Sequence, residues 1–512
     1  MKYLIGVDIG TTGTKASLYD TEGNEIAGAF RESVLHYPCE GWVEQEPQDF
    51  YTSACDTIRE MVSKAGISGK DVAAITVDGQ MAGVLGIDDA FKPVIRYDSW
   101  LDGRCAKQLN RIREQAEELV LRKSGLPTMV AHCGKILWWK EERPGEFKRI
   151  LKFIQPAGYV SGRFAGLRGR DAFIDPTYCH FSGLFDFSKN TWSEELCAIF
   201  GIPMEKLPRV IDPWEIIGAL TPEAAGDCGL AAGIPVTAGC GDQAAGFLGA
   251  GLVEPGCVVD VAGTASVFAC GVDRFHPDLK HKTLLSCRSV SSGLWFPHAF
   301  LNGGGLCLRW FRDNILKPAP EDAASAYGAM DKKAEALGRE PTGILFLPHL
   351  GGRNFPFHQH IRGSFANINW NTDNAALYKS IMEGIAYEYA IYLKIERSLY
   401  PDIEFKEVRT YGGGARSRLF TQIKADVLGI PYVHVDRSEV GALGCAILGG
   451  YAVGIYKDMA QTAKQFTHTR DKILPDEQNH RKYRVFAEAY AQYGHAMEKM
   501  HEHIDILKNN GV

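Results

Sequence analysis

The chain has 512 residues, 45% of them apolar, and a net charge of −6. That length is too great for a single hydrophobic core, so two large domains are expected. The acidic balance speaks against a nucleic-acid or anionic-membrane surface. The 13 cysteines form no CxxC pair and no His/Cys cluster at zinc spacing, the pattern of reduced thiols in a cytoplasmic protein.

Met1-Lys2 leads directly into an apolar run, so no signal peptide is expected. Tyr3 to Val7 reads as a buried strand ending on Asp8. The turn Gly10-Thr11-Thr12-Gly13-Thr14 follows, and Ala16 to Tyr19 reads as a second strand. The glycines let the backbone approach a ligand closely. The threonine hydroxyls and backbone N–H groups suit phosphate oxygens. Asp8 suits Mg2+, a hard cation that takes oxygen ligands, often through its water shell. The stretch is neither a P-loop nor a Rossmann fingerprint, and an ordinary Gly-rich hairpin is the competing reading.

A third strand, Glu25 to Glu32, and a helix, Pro47 to Lys64, come next. Val72 to Val77 reads as a strand running into the polar Asp78-Gly79-Gln80-Met81, where open α/β sheets bind ligands. An aromatic and charged loop, Tyr97 to Arg104, precedes a polar helix, Ala106 to Lys123, and Gly134 to Lys140 is another helix. Ile234 to Ala238 is a strand opening onto Gly239-Cys240-Gly241-Asp242-Gln243, with a helix from Ala244 to Gly251. Asp242 at that corner is either a helix N-cap or a catalytic carboxylate.

The opening pattern then restarts about 250 residues on. Cys257 to Ala262 is a strand, Gly263-Thr264-Ala265-Ser266 a small-residue turn, and Val267 to Val272 a strand. Aligning the two turns sets Val261 opposite Asp8, so the echo keeps the phosphate-type turn and loses the carboxylate. Two related, facing domains would explain it; chance similarity of Gly/Thr turns would too. Later, Val408 to Tyr411 ends on Gly412-Gly413-Gly414, which allows close approach of a flat ligand or phosphate. The helix Arg418 to Leu428 follows. The longest uncharged run, Val440 to Tyr456, is too short to span a membrane and carries five glycines, so it is expected to be a closely packed helix. Pro475 to Leu507 is helical, with Tyr483, Phe486, Tyr490 and Tyr493 expected to dock on the body. His36, His298 and His349 read as packing or rim residues, and Arg309-Trp310-Phe311-Arg312 as domain packing.

The ordered set Asp8-Ile-Gly-Thr-Thr-Gly-Thr-Lys15, Gly79-Gln80-Met81, Asp102-Gly103-Arg104, Lys135-Ile-Leu-Trp138, Gly239-Cys-Gly-Asp-Gln-Ala-Ala-Gly246, Gly263-Thr264, Gly412-Gly-Gly-Ala-Arg416 and Ala442-Leu-Gly-Cys-Ala446 resembles the FGGY carbohydrate kinases, and within them the xylulokinase-like branch. The resemblance covers essentially the whole chain. It implies an α/β fold of two actin-like, ribonuclease-H-like domains, with mixed sheets flanked by helices and ATP and sugar in the central cleft. Its implied division is 1–250, carrying most of the sugar pocket; 251–460, carrying most of the nucleotide site; and a packed helical segment, 461–512. It makes Asp242 the base for the attacking sugar hydroxyl and sets Asp8 near Mg2+. Thr11, Thr12 and Thr14 match the first phosphate loop, Gly263 and Thr264 the second, and Gly412, Gly413 and Gly414 the loop beside adenosine. Gln80, Met81, Trp100, Asp102 and Gln243 match the sugar pocket.

Four positions depart from the xylulokinase pattern. Ala82 stands where His is usual, the loop from Pro93 to Asp102 is longer, Gln243 replaces Asn, and His132 replaces a Pro, Ser or Thr. A site built to bond particular hydroxyls rejects sugars that lack them. A ketopentose such as D-xylulose is the leading substrate, with another ketose, a polyol or a signal-type small polyol as alternatives. A non-kinase actin-like ATPase would have no need of Asp242 or of the loop Trp100 to Arg104. A sugar-binding regulator without catalysis would not need both Asp8 and Asp242. The implied partners are sugar and ATP, with no nucleic acid and no membrane; a homodimer is left open.

Overall fold

The computed structural model describes residues 2–509, apart from 324, 359 and 438. Strands β1 (Tyr3–Ile9) and β2 (Gly13–Asp20) form the expected hairpin, and β3 (Glu25–Glu32) adds antiparallel to β2. Val72–Gly79 lies parallel to β1 on its other side, then Pro235–Thr237 and Ile216–Ala219 complete the sheet. β1 is apolar nearly throughout because it is central and covered on both faces. Helix α1 (Pro47–Ala65) packs on one face and helix Val440–Ala452 on the other.

The second sheet repeats this order. Cys257–Ala262 pairs antiparallel with Ser266–Cys270, which pairs with Trp295–Leu301, while Glu407–Tyr411 and Tyr432–Val435 run parallel on the far side. Leu285–Arg288 and Thr469–Ile473 form its edges, so the chain beyond 461 contributes a strand as well as helix. The echo in the sequence is thus a repeated sheet topology. Asp8 and Val261 are each the second-last residue of the first strand of their sheet.

The second copy does carry a carboxylate, one residue earlier. A one-residue step turns a strand side chain to the opposite face. Asp260 points into the domain, fully buried, where it accepts from Lys424 Nζ at 2.5 Å and Tyr389 Oη at 2.9 Å.

The lobes meet at the glycine-rich helix, which runs Val440–Ala452 and crosses helix Asp242–Gly249. Contact there is backbone on backbone. A Cβ at Gly6 would overlap the Ala442 carbonyl, one at Gly249 the Val440 carbonyl, and one at Gly444 the Ala245 carbonyl. The last helix, Glu477–Asn509, docks through buried Tyr483 and Tyr490, with Phe486 and Tyr493 partly buried beside them. Among the described residues no helix is long and apolar enough to cross a membrane.

Candidate active site

Three adjacent strand ends bring carboxyl groups together. Asp8 on β1 is in register with Asp78, and Asp78 is in register with Cys240 of the short strand Cys240–Gly241. Asp242 follows directly. Asp78 therefore belongs to its strand rather than to the loop after it. The capping role considered for Asp242 is not what the backbone shows. Gly241 holds the cap position, and Asp242 is the first helical residue, its carboxylate accepting the Gln243 N–H at 2.7 Å.

Burial, reinforced by the charge of Asp8, raises the Asp242 carboxyl to about 7. Burial also raises Asp8, against the neighbouring Asp78 carboxyl and the charge of Lys15. Asp78 is fully buried, its Oδ2 accepts the Cys445 thiol at 3.1 Å, and burial with the Asp8 charge pushes it well above the carboxylate range. Burial and the charge of Asp8 thus act together on the deeper Asp78, while the partly exposed Asp8 has Lys15 beside it. Lys15 also bridges the lobes through Glu439 at 3.0 Å.

The first hairpin is wired to the aromatic loop. Trp100 Nε1 donates to Thr11 Oγ1 at 2.7 Å, Thr11 donates to Gln80 Oε1 at 3.4 Å, and Gln80 Nε2 donates to Gln45 Oε1 at 2.8 Å. Thr12 is exposed at the turn, whereas the Thr14 hydroxyl is buried on Ser53 at 2.7 Å and faces away from the cleft. Asp102 is turned inward as well. Its oxygens accept the Val43 and Arg104 N–H groups at 2.6 and 2.9 Å and the Arg104 guanidinium at 2.8 and 2.6 Å. Arg104 lies 3.8 Å over the Trp42 ring and also reaches Glu44. Asp102 and Arg104 together brace the loop that carries Trp100.

Lys135 is buried beneath that brace, donating to Asp98 at 2.5 Å and to the Ser99 and Asp102 carbonyls. His132 Nε2 meets the Met81 carbonyl at 3.4 Å, and Met81 itself packs against Gly241. Gln243 Oε1 is buried without a hydrogen-bond partner among the described residues.

The second hairpin gathers the other glycines. Gly305 N–H donates to the Gly263 carbonyl at 3.0 Å and Leu306 N–H to that of Thr264 at 2.9 Å. Gly412, at φ +95°, and Gly414 lie against Ala262, where a Cβ on either would press the backbone carbonyl. Exposed Thr264, Gly412 and Gly413 lie on the surface of this corner. The sequence assigns Gly303-Gly304-Gly305 and Gln45 no site role, and it sets Asp78 in the ligand-facing run after its strand rather than within the strand. A triple glycine ahead of an apolar helix was the available signal for the first; a carboxylate in register with Asp8 requires the pairing itself. Of the isolated histidines, His298 is buried with Nδ1 on the Phe296 carbonyl at 3.1 Å. His349 does have a carboxylate partner, Glu388 at 3.1 Å.

Two facing lobes of repeated topology, with phosphate-type hairpins on both and carboxylates on one, define an actin-like phosphotransferase. Residues 3–249 match the N-terminal domain, and residues 261–453 the C-terminal domain, of the FGGY family of carbohydrate kinases. The chain is 26% identical over 501 residues to a xylulose kinase of Bacillus subtilis, covering 96% of each chain. It is 30% identical over 471 residues to a glycerol kinase of Methylobacterium nodulans, covering 89% of this chain and 91% of that one. The fold is that of the crystal structure of xylulose kinase from Rhodospirillum rubrum, at a TM-score of 0.89, 24% identity and coverage of 98% and 100%. The chain belongs to the FGGY family of carbohydrate kinases and is an ATP-dependent sugar kinase.

Proposed function

We propose that the protein transfers the γ-phosphoryl group of ATP to a ketopentose, D-xylulose first among them, giving the 5-phosphate. The observation that carries the chemistry is Asp242, a carboxyl held at about 7 at the end of the first sheet, within the field of Asp8. A base with that affinity is half-ionised near neutral pH, where general-base catalysis is most effective. Asp242 accepts the proton of the attacking hydroxyl. Gln80, Met81, Trp100 and Gln243 orient the sugar, and Asp102 acts by holding the Trp100 loop in place. The N–H groups of the two hairpins, with the Thr11 and Thr12 turn on one side and Gly263, Thr264 and Gly412 to Gly414 on the other, hold the nucleotide. The Thr14 side chain takes no part; only its backbone does.

Among the described residues no group of three or more His, Cys, Asp or Glu side chains is arranged to hold a metal. Mg2+ keeps several waters and takes one or two carboxylates plus substrate phosphates, so the partly exposed Asp8 fits as its protein contact. When bound it neutralises charge on the transferring phosphoryl group.

A second reading, another ketose or a polyol, rests on Ala82 and on the unpartnered Gln243 Oε1, which reshape hydroxyl recognition. The test is product formation with Mg-ATP and a panel of D-xylulose, other ketoses, glycerol, gluconate and pentitols, with the phosphate position read by NMR. The highest kcat/KM for D-xylulose and a C5 ester are expected. A faster reaction with glycerol or gluconate overturns the sugar assignment, and sugar-independent ATP hydrolysis alone overturns the kinase reading.

A further inference from the structure

A cavity of about 630 Å³ lies in the second lobe, between helix Asn374–Leu399, the last helix and the stretch 347–356 with Ile361. It shares no lining residue with the hairpins or carboxylates of the cleft. Its volume is that of a small-molecule site. Its floor is Glu388, whose carboxylate accepts Tyr490 Oη at 2.6 Å and Tyr392 Oη at 2.9 Å and meets His349 Nε2 at 3.1 Å. Burial alone would raise Glu388; His349 and Tyr490 outweigh it and bring the carboxyl down to about 2. The other wall carboxylate, Glu498, is taken by Arg353 at 2.5 Å. Leu347, Phe355, Ile361, Ile391 and Ile395 supply apolar walls. At the rim, exposed Lys280 and Lys394 make no ion pair among the described residues. Both acids thus have their partners inside, while the two lysines stand without an ion pair at the edge among the described residues.

A chain of contacts links the cavity to the Gly263 hairpin. His349 follows Pro348, whose carbonyl accepts the Cys307 thiol at 3.5 Å and blocks any Cβ at Gly303. Two residues on, Gly305 N–H holds the Gly263 carbonyl at 3.0 Å. On the floor, Tyr389, adjacent to Glu388, bonds Asp260 in the strand that ends at the same hairpin.

We propose that this cavity is an effector site for an organic anion with an apolar body, seated on Leu347, Ile391 and Ile395 with its charge between Lys280 and Lys394, and that its occupancy changes ATP affinity through the Gly263 hairpin. The proposal rests on ATP use alone and not on which sugar is phosphorylated. The probe is 8-anilinonaphthalene-1-sulfonate, an aromatic anion of suitable size, titrated by fluorescence into the full chain, with Mg-ATP affinity measured by calorimetry. One site per chain is expected, with Mg-ATP affinity shifted at least threefold at saturating probe. Because coupling between two sites is reciprocal, Mg-ATP should shift the probe's affinity by the same factor and then level off. Lys280→Glu with Lys394→Glu, both on the surface, should weaken the probe at least tenfold. Ala491→Trp, which fills the mouth, should abolish binding and the ATP shift together, with Mg-ATP affinity in the absence of probe unchanged as the check on folding. Probe binding within twofold of wild type in both variants overturns the site. Displacement of the probe that grows without limit as Mg-ATP rises places it in the nucleotide cleft and overturns the site as well. Unchanged ATP affinity at saturating probe overturns the effector role.

Discussion

Replacing Asp242 by Asn separates what the carboxylate does for catalysis from what it costs the fold. Moving a carboxyl from the ordinary 3.8 to about 7 corresponds to about 4 kcal/mol against the ionised form at high pH. Solvent reaching this partly exposed group screens the interaction, so about 1–3 kcal/mol is expected in the protein. The sign follows from linkage. The penalty is absent below the ordinary carboxyl value, grows as the pH rises, and is complete above about 7. Asn does not titrate, so the variant should be more stable than the wild type, by a margin that widens between pH 5 and pH 8. Thermal unfolding at both pH values measures it. In steady-state assays kcat should fall about 10²–10⁴-fold, the usual range for a lost general base, with KM for the sugar little changed. For the wild type, kcat/KM should rise with pH along an acid limb centred near 7. An unchanged kcat, or a stability margin that does not widen with pH, refutes the reasoning.

Asp8→Asn should raise the Mg2+ concentration for half-maximal activity about tenfold or more, and should move the acid limb to lower pH because the negative neighbour of Asp242 is gone; a Mg2+ titration and a pH profile check both. Trp100→Phe removes the donor to Thr11 Oγ1 and should raise ATP hydrolysis without sugar, relative to transfer, by about 2–10-fold, the worth of one hydrogen bond. ADP release with and without sugar reports it, and an unchanged ratio counts against the link. Lys424→Met leaves Asp260 buried without its cation, which should destabilise by about 3–5 kcal/mol. Adding Asp260→Val should recover most of that loss in denaturant unfolding.

The chain order of strands and the two hairpins were legible because apolar runs broken by Gly/Thr turns follow from local preference. The repeat was legible for the same reason, down to Val261 facing Asp8. What escaped was whatever pairing across the sheet decides. Asp78 read as a loop residue because polar residues usually end a buried strand; only the register with Asp8 shows it to be an interior acid. Asp102 read as a sugar contact, but its carboxylate is filled by Arg104 and two backbone donors, partners 59 and 2 residues away. Thr14 sits in the phosphate-type turn by sequence, yet alternation along β2 points its side chain to Ser53. Which side of a strand a residue occupies near a turn depends on where pairing begins, and composition does not carry that.

The seam between the lobes has a mechanical consequence. Where side chains interdigitate, turning one body against another means lifting knobs out of holes. At Gly6, Gly249 and Gly444 main chain rests on main chain, so at those three points there are no knobs to lift. These close approaches lie just below the end of the strand that carries Asp8 and beside the helix that Asp242 opens. Rotation there would leave Asp8 and Asp78 in step, since they ride on one sheet, while Asp242 opens the helix that crosses the seam.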